Sequence, residues 1–215
     1  MGFRLRFPVA HSTALIYLFL CIAAQTFLVG CDSVAPTTAS NLLPHHPLQS
    51  TELLDLKGDE VHIDPQGHAA TVFLFARTDC PISNRYAPTI RRIYEEFSSR
   101  DVIFYLVYVD PNQSSDEIAK HRESYAYPCM AVRDIGHELV QQVGARVTPE
   151  AVVVDRRGNV VYRGRIDDRF VDFGKTRQTP TRDDLSLALN ATLSGRVVEL
   201  PVTKAIGCII ADLKQ

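Results

Sequence analysis

At 215 residues and 46% hydrophobic content, the chain is long enough for one ordinary domain with appendages and too apolar for a disordered or fibrous protein. Lys+Arg 23 against Asp+Glu 25 gives a formal net charge of −2, and no basic stripe is interleaved with aromatics. That balance argues against a nucleic-acid partner.

In chain order, the first thirty residues stand apart. Arg4 and Arg6 make a short positive leader, and Ala14 to Val29 (ALIYLFLCIAAQTFLV) is an apolar run with the length of a signal-peptide core, short of a membrane span. The tetrapeptide LVGC, Leu28 to Cys31, resembles the bacterial lipobox, whose cysteine becomes the lipid-modified first residue of the mature protein. Residues 1–30 are therefore expected to be a lipoprotein-type signal peptide, and Cys31 a lipidation site. Residues 31–53, rich in Pro, Ser and Thr, would be the anchor and a flexible linker. A lipid-anchored protein of the bacterial cell envelope follows, facing the periplasm or exterior, with a membrane as one partner. His45 and His46 fall in this linker and read as solvated side chains.

Residues 54–195 alternate between strand and helix patterns. A small hairpin is expected over Leu54 to Asp64, turning at Lys57-Gly58. Ala70 to Ala76 (ATVFLFA) and Val102 to Val109 (VIFYLVYV) are continuous apolar runs, as in strands buried on both faces. Between them Tyr86, Ile90, Ile93, Tyr94 and Phe97 recur at helical spacing, with Pro88 expected to kink the helix. Ser114 and Glu117 have the form of a capping box that opens a helix to about Tyr125. A strand near Met130 to Val132 and a helix from Ile135 to Val143, closed by Gly144, come next. Ala151 to Asp155 and Val160 to Ile166 then form a hairpin. Thr181 to Leu193 is a last helix, capped by Thr179 or Thr181, and residues 196–215 are a tail. Helical crossovers make the early strands parallel and the short hairpin makes the late ones antiparallel, so an α/β fold follows, with a central mixed sheet flanked by helices on both faces.

Five cysteines divide by position: Cys21 in the signal, Cys31 in the lipobox, and Cys80, Cys129 and Cys208 beyond them. Cys80 stands where a buried strand meets a helix. There the unsatisfied N–H groups and the helix dipole favour thiolate over thiol, and Arg77 and Arg85 would add positive charge if turned inward. Thiolate is the nucleophile, so Cys80 is suited to attack a disulfide or a peroxide. Cys208 lies in VTKAIGCII, after Gly207, on a tail free to fold back. Cys129, after Pro128, reads as a core cysteine. Cys80 could pair with Cys208, with Cys129 or with an outside thiol; a pair needs Cα atoms within about 7 Å.

The apolar strand leading into Cys80-Pro81, the Pro88-bearing helix, Val147-Thr148-Pro149 before a strand, and Val154-Asp155 with Gly158 together resemble the thioredoxin-like fold of the redoxin group. That group includes the alkyl hydroperoxide reductase and thiol-specific antioxidant type and membrane-tethered thioredoxin-like lipoproteins. The resemblance implies a cis Thr148-Pro149 bond facing Cys80 and a catalytic face made of Cys80, Pro81, Thr148 and Pro149. In TDCPISNRY, Ser83 occupies the place of the second sulfur of a Cys-x-x-Cys pair, where its hydroxyl can hydrogen-bond the thiolate or cap the helix. Resolution must come from elsewhere, and Cys208 is the candidate. Thr78 stands two residues before Cys80, one place nearer than in the peroxidases, and Phe73 stands where those keep a proline.

The expected function is membrane-tethered thiol redox chemistry, as a thiol-disulfide oxidoreductase or a peroxiredoxin-like antioxidant with Cys80 as nucleophile and Thr78, Ser83 and Arg85 in support. Its partners would be a disulfide-bearing protein or a peroxide, with an external thiol reductant, and no cofactor is expected. Two alternatives are a copper-handling module, with Cys80 and Cys208 holding Cu(I), and a tethered binding module without turnover. GRIDDR (Gly164 to Arg169) and the loop to Pro180 read as an exposed, salt-bridged turn or as a gate. His121 and His137 read as surface residues, and Tyr105, Tyr108, Tyr125 and Tyr127 as core or rim.

Overall fold

A computed structural model describes residues 43–210 together with Met1 and Gly2. The expected signal peptide from residue 3 onward, the lipobox with Cys31, and the first part of the linker lie outside the described residues.

The elements run in chain order as β1 (Thr51–Leu54), β2 (Glu60–Ile63), β3 (Ala70–Ala76), α1 (Pro81–Arg85), α2 (Ala87–Phe97), β4 (Val102–Tyr108), α3 (Ser115–Ser124), β5 (Met130–Arg133) and α4 (Glu138–Val143). They continue with β6 (Val147–Thr148), β7 (Glu150–Asp155), β8 (Val160–Gly164), β9 (Phe170–Asp172), β10 (Lys175–Thr176), α5 (Asp184–Leu193) and β11 (Cys208–Ile209). Among the described residues, seven strands make one sheet in the order β2-β1-β5-β4-β3-β7-β8. β3 runs parallel to β4 and β4 parallel to β5, whereas β7 is antiparallel to both β3 and β8.

Alternation along the central strands sorts the core into two layers. Val72, Leu74, Phe104, Leu106 and Val153 point to the side covered by α2, α3 and α5, where Ile90, Ile93, Ile118 and Leu189 meet them. Phe73, Phe75, Val107, Val152 and Val154 point to the opposite side, against Leu139, Val140 and Val143 of α4. Helices on both faces explain why β3 has no polar side chain except the buried Thr71.

Four local expectations change. The segment after Cys80 is two helices rather than one kinked helix. Pro88 falls in the first turn of α2, where its missing N–H leaves no bond unmade. The last helix starts at Asp184, because Thr181 is held outside it by Asp168, which accepts from the Thr181 N–H at 2.6 Å. α4 starts only at Glu138. Asp134 accepts from the Glu138 and Val140 N–H groups at 2.9 and 2.8 Å, and His137 adopts φ 57° to allow it. Part of the long 169–180 loop is the β9–β10 hairpin. Packing also begins inside the expected linker. Leu48 is buried and donates its N–H to Gly158 O at 2.7 Å, whereas His45 and His46 are exposed.

The tail returns to the domain. Val198, Ile206 and Ile210 are buried, and β11 pairs antiparallel with β6, placing Cys208 opposite Thr148 and Ile209 opposite Val147. Gly207 makes this approach possible: a Cβ there would lie 2.1 Å from Thr148 O.

Candidate functional site

β3 ends at Ala76, and the chain turns through Arg77–Asp79 before Cys80 takes extended backbone angles as the residue preceding α1, with Pro81 first in that helix. Cys80 is fully buried. From below, the Thr148–Pro149 peptide, which is cis, brings Thr148 O to 3.0 Å from Cys80 Sγ, and the thiol donates to it. From above, β11 brings Cys208 Sγ to 2.8 Å from Cys80 Sγ. Both of these cysteines are free thiols, and Cys208 is partly exposed.

Burial is the largest influence on Cys80 and by itself raises its pKa. Donors that favour the ionised sulfur, the Cys208 thiol first, then the Ser83 backbone and hydroxyl and Thr148, outweigh it and hold the thiol below its ordinary value. Ser83 Oγ and Thr148 Oγ1 are buried and have no partner while Cys80 is a thiol donating to a carbonyl. A thiolate accepts from both, so ionisation completes two hydroxyls that the neutral site leaves unpaired. Cys208 is the opposite case. Burial first, then its bond to Cys80 and the charge there, push it up to about 12, against a small lowering by Arg77. Of the two sulfurs, Cys80 is therefore the one that ionises first, with Cys208 keeping its proton.

A second row of side chains fixes α1. Tyr127 donates its hydroxyl to Ser83 O at 3.0 Å, and Asn84 Nδ2 donates to Thr78 O at 3.1 Å. His121 faces Asn84 Oδ1 with Nε2 at 2.7 Å and the Tyr108 hydroxyl with Nδ1 at 2.8 Å. His121, expected at the surface, is thus buried on the inner side of α3, three residues after the buried Ile118, and burial lowers its pKa. His137 is also buried, against Val109 O at 2.6 Å. The Asn84–His121–Tyr108 row joins three separate segments and was not expected from the sequence. Its only signal was the spacing of Ile118 and His121 on one helix face.

The other expected residues are placed as follows. Thr78 contributes through its backbone, its N–H donating to Gln113 Oε1 at 3.3 Å. Pro81 is exposed beside the sulfurs. Arg85, expected to add positive charge at Cys80, lies instead with its guanidinium 5.7 Å from the Phe170 ring centre, a contact more favourable than a desolvated cation in the sulfur pocket. Arg77 bonds Asp79 at 2.9 Å and Asp110 at 3.1 Å. Cys129 is fully buried in the core, its pKa pushed up to about 12 by burial. The GRIDDR aspartates are buried, not exposed: Asp167 accepts from the Tyr86 hydroxyl at 2.8 Å, and Asp168 ties the 177–182 segment to the domain. Among the described residues no group of three or more His, Cys, Asp and Glu side chains is arranged to hold a metal.

A central mixed sheet between helices, a cis-proline loop, and a cysteine at the end of β3 define a thioredoxin-fold protein of the redoxin type. A family model described as the AhpC/TSA family matches residues 44–163, more than half of the chain, and the chain belongs to that family. Among solved structures it is similar to an uncharacterized conserved protein from Geobacillus kaustophilus (25% identity, TM-score 0.66, covering 79% of this chain and 91% of that one). It is also similar to a hypothetical protein from Sinorhizobium meliloti 1021 (21%, 0.68, 79% and 93%). The thioredoxin domain of a thiol-disulfide oxidoreductase from Bacteroides vulgatus shares the fold (18%, 0.50, 57% and 88%). No curated protein matches.

Proposed function

We propose that this chain is a thiol-disulfide oxidoreductase that cycles between a dithiol and a Cys80–Cys208 disulfide. The observation that carries it is the sulfur pair: Sγ atoms 2.8 Å apart, one thiol held low and the other high. Cys208 supplies in space the second sulfur that Ser83 does not supply in sequence.

In the reduced protein Cys80 ionises more readily than Cys208, and its thiolate is the nucleophile. It is reached when the Cys208 side chain moves aside, and it attacks one sulfur of a substrate disulfide. The substrate S–S bond breaks, and the other sulfur leaves as a thiolate and takes a proton. Cys208 then gives up its proton and attacks Cys80 Sγ, expelling the second substrate thiolate and closing Cys80–Cys208. Ser83 and Thr148 stabilise the Cys80 thiolate before attack and when it is a leaving group. Ile209, 74% exposed beside Cys208, gives the site an apolar rim suited to a protein or peptide surface. The leader pattern and Cys31 support placing this chemistry on the outer side of a bacterial membrane, with a lipid tether.

The test is peptide mapping of the full chain, purified in mild detergent, after exposure to oxidised glutathione or to hydrogen peroxide and again after reduction. A reversible Cys80–Cys208 disulfide that forms faster with glutathione disulfide supports the reading. Faster formation with peroxide, through a Cys80 sulfenic acid that condenses with Cys208 and loses water, would move the protein to the antioxidant branch. A Cys80 that remains an unpaired thiol under both oxidants would overturn it. The mass of the mature N-terminal peptide, and its change in Cys31→Ala, tests the tether.

A further inference from the structure

Behind the β6–β11 ribbon a cleft of about 400 Å³ is lined by Arg146, Val147, Glu150, Arg163, Lys204 and Ala205, among others. Its charge is unbalanced, with three cations against one carboxylate. That carboxylate is already engaged: Glu150 Oε2 accepts from the Arg146 N–H at 2.7 Å, and Glu150 Oε1 lies 3.9 Å from Arg163 Nε. Arg163 also donates to Val143 O at 3.2 Å. Arg146 and Lys204 are exposed, on two separate segments that converge here, and neither has an ion pair among the described residues.

The cleft is joined to the redox pair by short lengths of chain. Ala205 lies three residues before Cys208, at most about 11 Å of extended backbone. Val147 is the partner of Ile209 across the ribbon. Of the two sulfurs, Cys208 is the one partly open to solvent, whereas Cys80 is fully buried. An external thiol therefore meets Cys208 first, next to a cationic cleft. The charged side chains that act on Cys208, Arg77 and Asp79, oppose one another.

We propose that Arg146 and Lys204 bind the carboxylate of a small acidic thiol that reduces the Cys80–Cys208 disulfide by attack on Cys208. The inference rests on the dithiol cycle above and names its reductant. The thiolate of the first reductant molecule bonds to Cys208 Sγ, the Sγ–Sγ bond breaks, and the electron pair leaves on Cys80 as a thiolate. A second molecule attacks the mixed disulfide and leaves as the oxidised dimer. Cys208 takes one of the two protons released, and solvent takes the other. Arg146 offers a carboxylate its two-pronged guanidinium, and Lys204 a point charge. Cys80 leaves readily because a low-pKa thiol is the better leaving group.

The experiment uses the full chain, oxidised to the disulfide, and two thiol probes, anionic 3-mercaptopropionate and neutral 2-mercaptoethanol. Each rate is divided by that probe's rate toward an uncharged small disulfide. At low salt the normalised anionic rate is expected to exceed the neutral one about tenfold, with the first adduct mapped to Cys208. The ratio is expected to fall toward one in Arg146→Gln/Lys204→Gln. It should fall likewise in the unaltered chain at about 0.5 M salt, a measurement that needs no variant. A disulfide that forms but shows equal normalised rates, or a preference that survives both the substitutions and salt, overturns this inference alone. A chain that never forms the disulfide overturns the dithiol cycle and this inference with it.

Discussion

Gly207 lies against Thr148 so closely that a Cβ on Gly207 would come within 2.1 Å of the Thr148 carbonyl oxygen and 2.6 Å of its carbon. Both neighbours are backbone atoms, so no side chain can swing away to make room. In Gly207→Ala the tail must move off β6, and Cys208 leaves its place above Cys80. Disulfide formation by oxidised glutathione is expected to slow by at least about tenfold, at a stability cost of about 1–3 kcal/mol. Quenched alkylation followed by peptide mass measures the rate, and a denaturant titration measures the stability.

The Cys80 pKa gives a pH profile with a defined sign. Because the hydrogen bonds hold it below the ordinary thiol value, alkylation of Cys80 should rise with pH and level off earlier than a free cysteine, which ionises near about 8.5. Ser83→Ala and Thr148→Val each remove a hydroxyl that favours the thiolate, so each profile should shift to higher pH. Cys208→Ala should shift it the same way by removing the donor thiol. Rates of iodoacetamide reaction from pH 5 to 10, read on the Cys80 peptide, check all three. A profile unmoved by any of the three would separate the thiolate from its supposed donors.

Cys129 should behave as a core residue. It is fully buried in the core and its thiol is pushed up to about 12, so in the native chain it is expected to resist alkylation at pH 8 while Cys80, held below its ordinary value and reached when Cys208 moves aside, reacts. In denaturant all three should label. Its rate of labelling against denaturant concentration reports the opening of the core.

Asp168 accepts from the Thr181 and Arg182 N–H groups at 2.6 and 3.1 Å and from the Thr181 hydroxyl, and pairs with Arg177 at 3.4 Å. Asp168→Ala leaves these donors without their acceptor at a largely buried position. A loss of about 2–4 kcal/mol is expected in chemical unfolding, with the Cys80 alkylation profile unchanged. A shift in that profile would show that the 169–182 segment also shapes the sulfur site.

The sheet was legible in the sequence wherever a strand is buried on both faces. Ala70–Ala76 and Val102–Tyr108 are continuous apolar runs because helices cover both sides, and that pattern is local. The capping box at Ser114 and Glu117 was legible for the same reason: its reciprocal bonds join residues three apart. Those local patterns, with Cys80-Pro81 at a strand end and Pro149 before another strand, determined the fold class and singled out the sulfur at the end of β3.

Tertiary structure decided what stands around that sulfur. Cys80 and Cys208 are 128 positions apart and meet through strands of two residues, too short to carry a periodic pattern. The turning of Arg85 to Phe170, the inward-facing His121, and the convergence of Arg146 with Lys204 each join distant segments. Local propensity selects strands, helices and caps through interactions a few residues apart. Which side chains meet depends on how the elements pack, a competition among burial, hydrogen bonding and charge that no single segment contains.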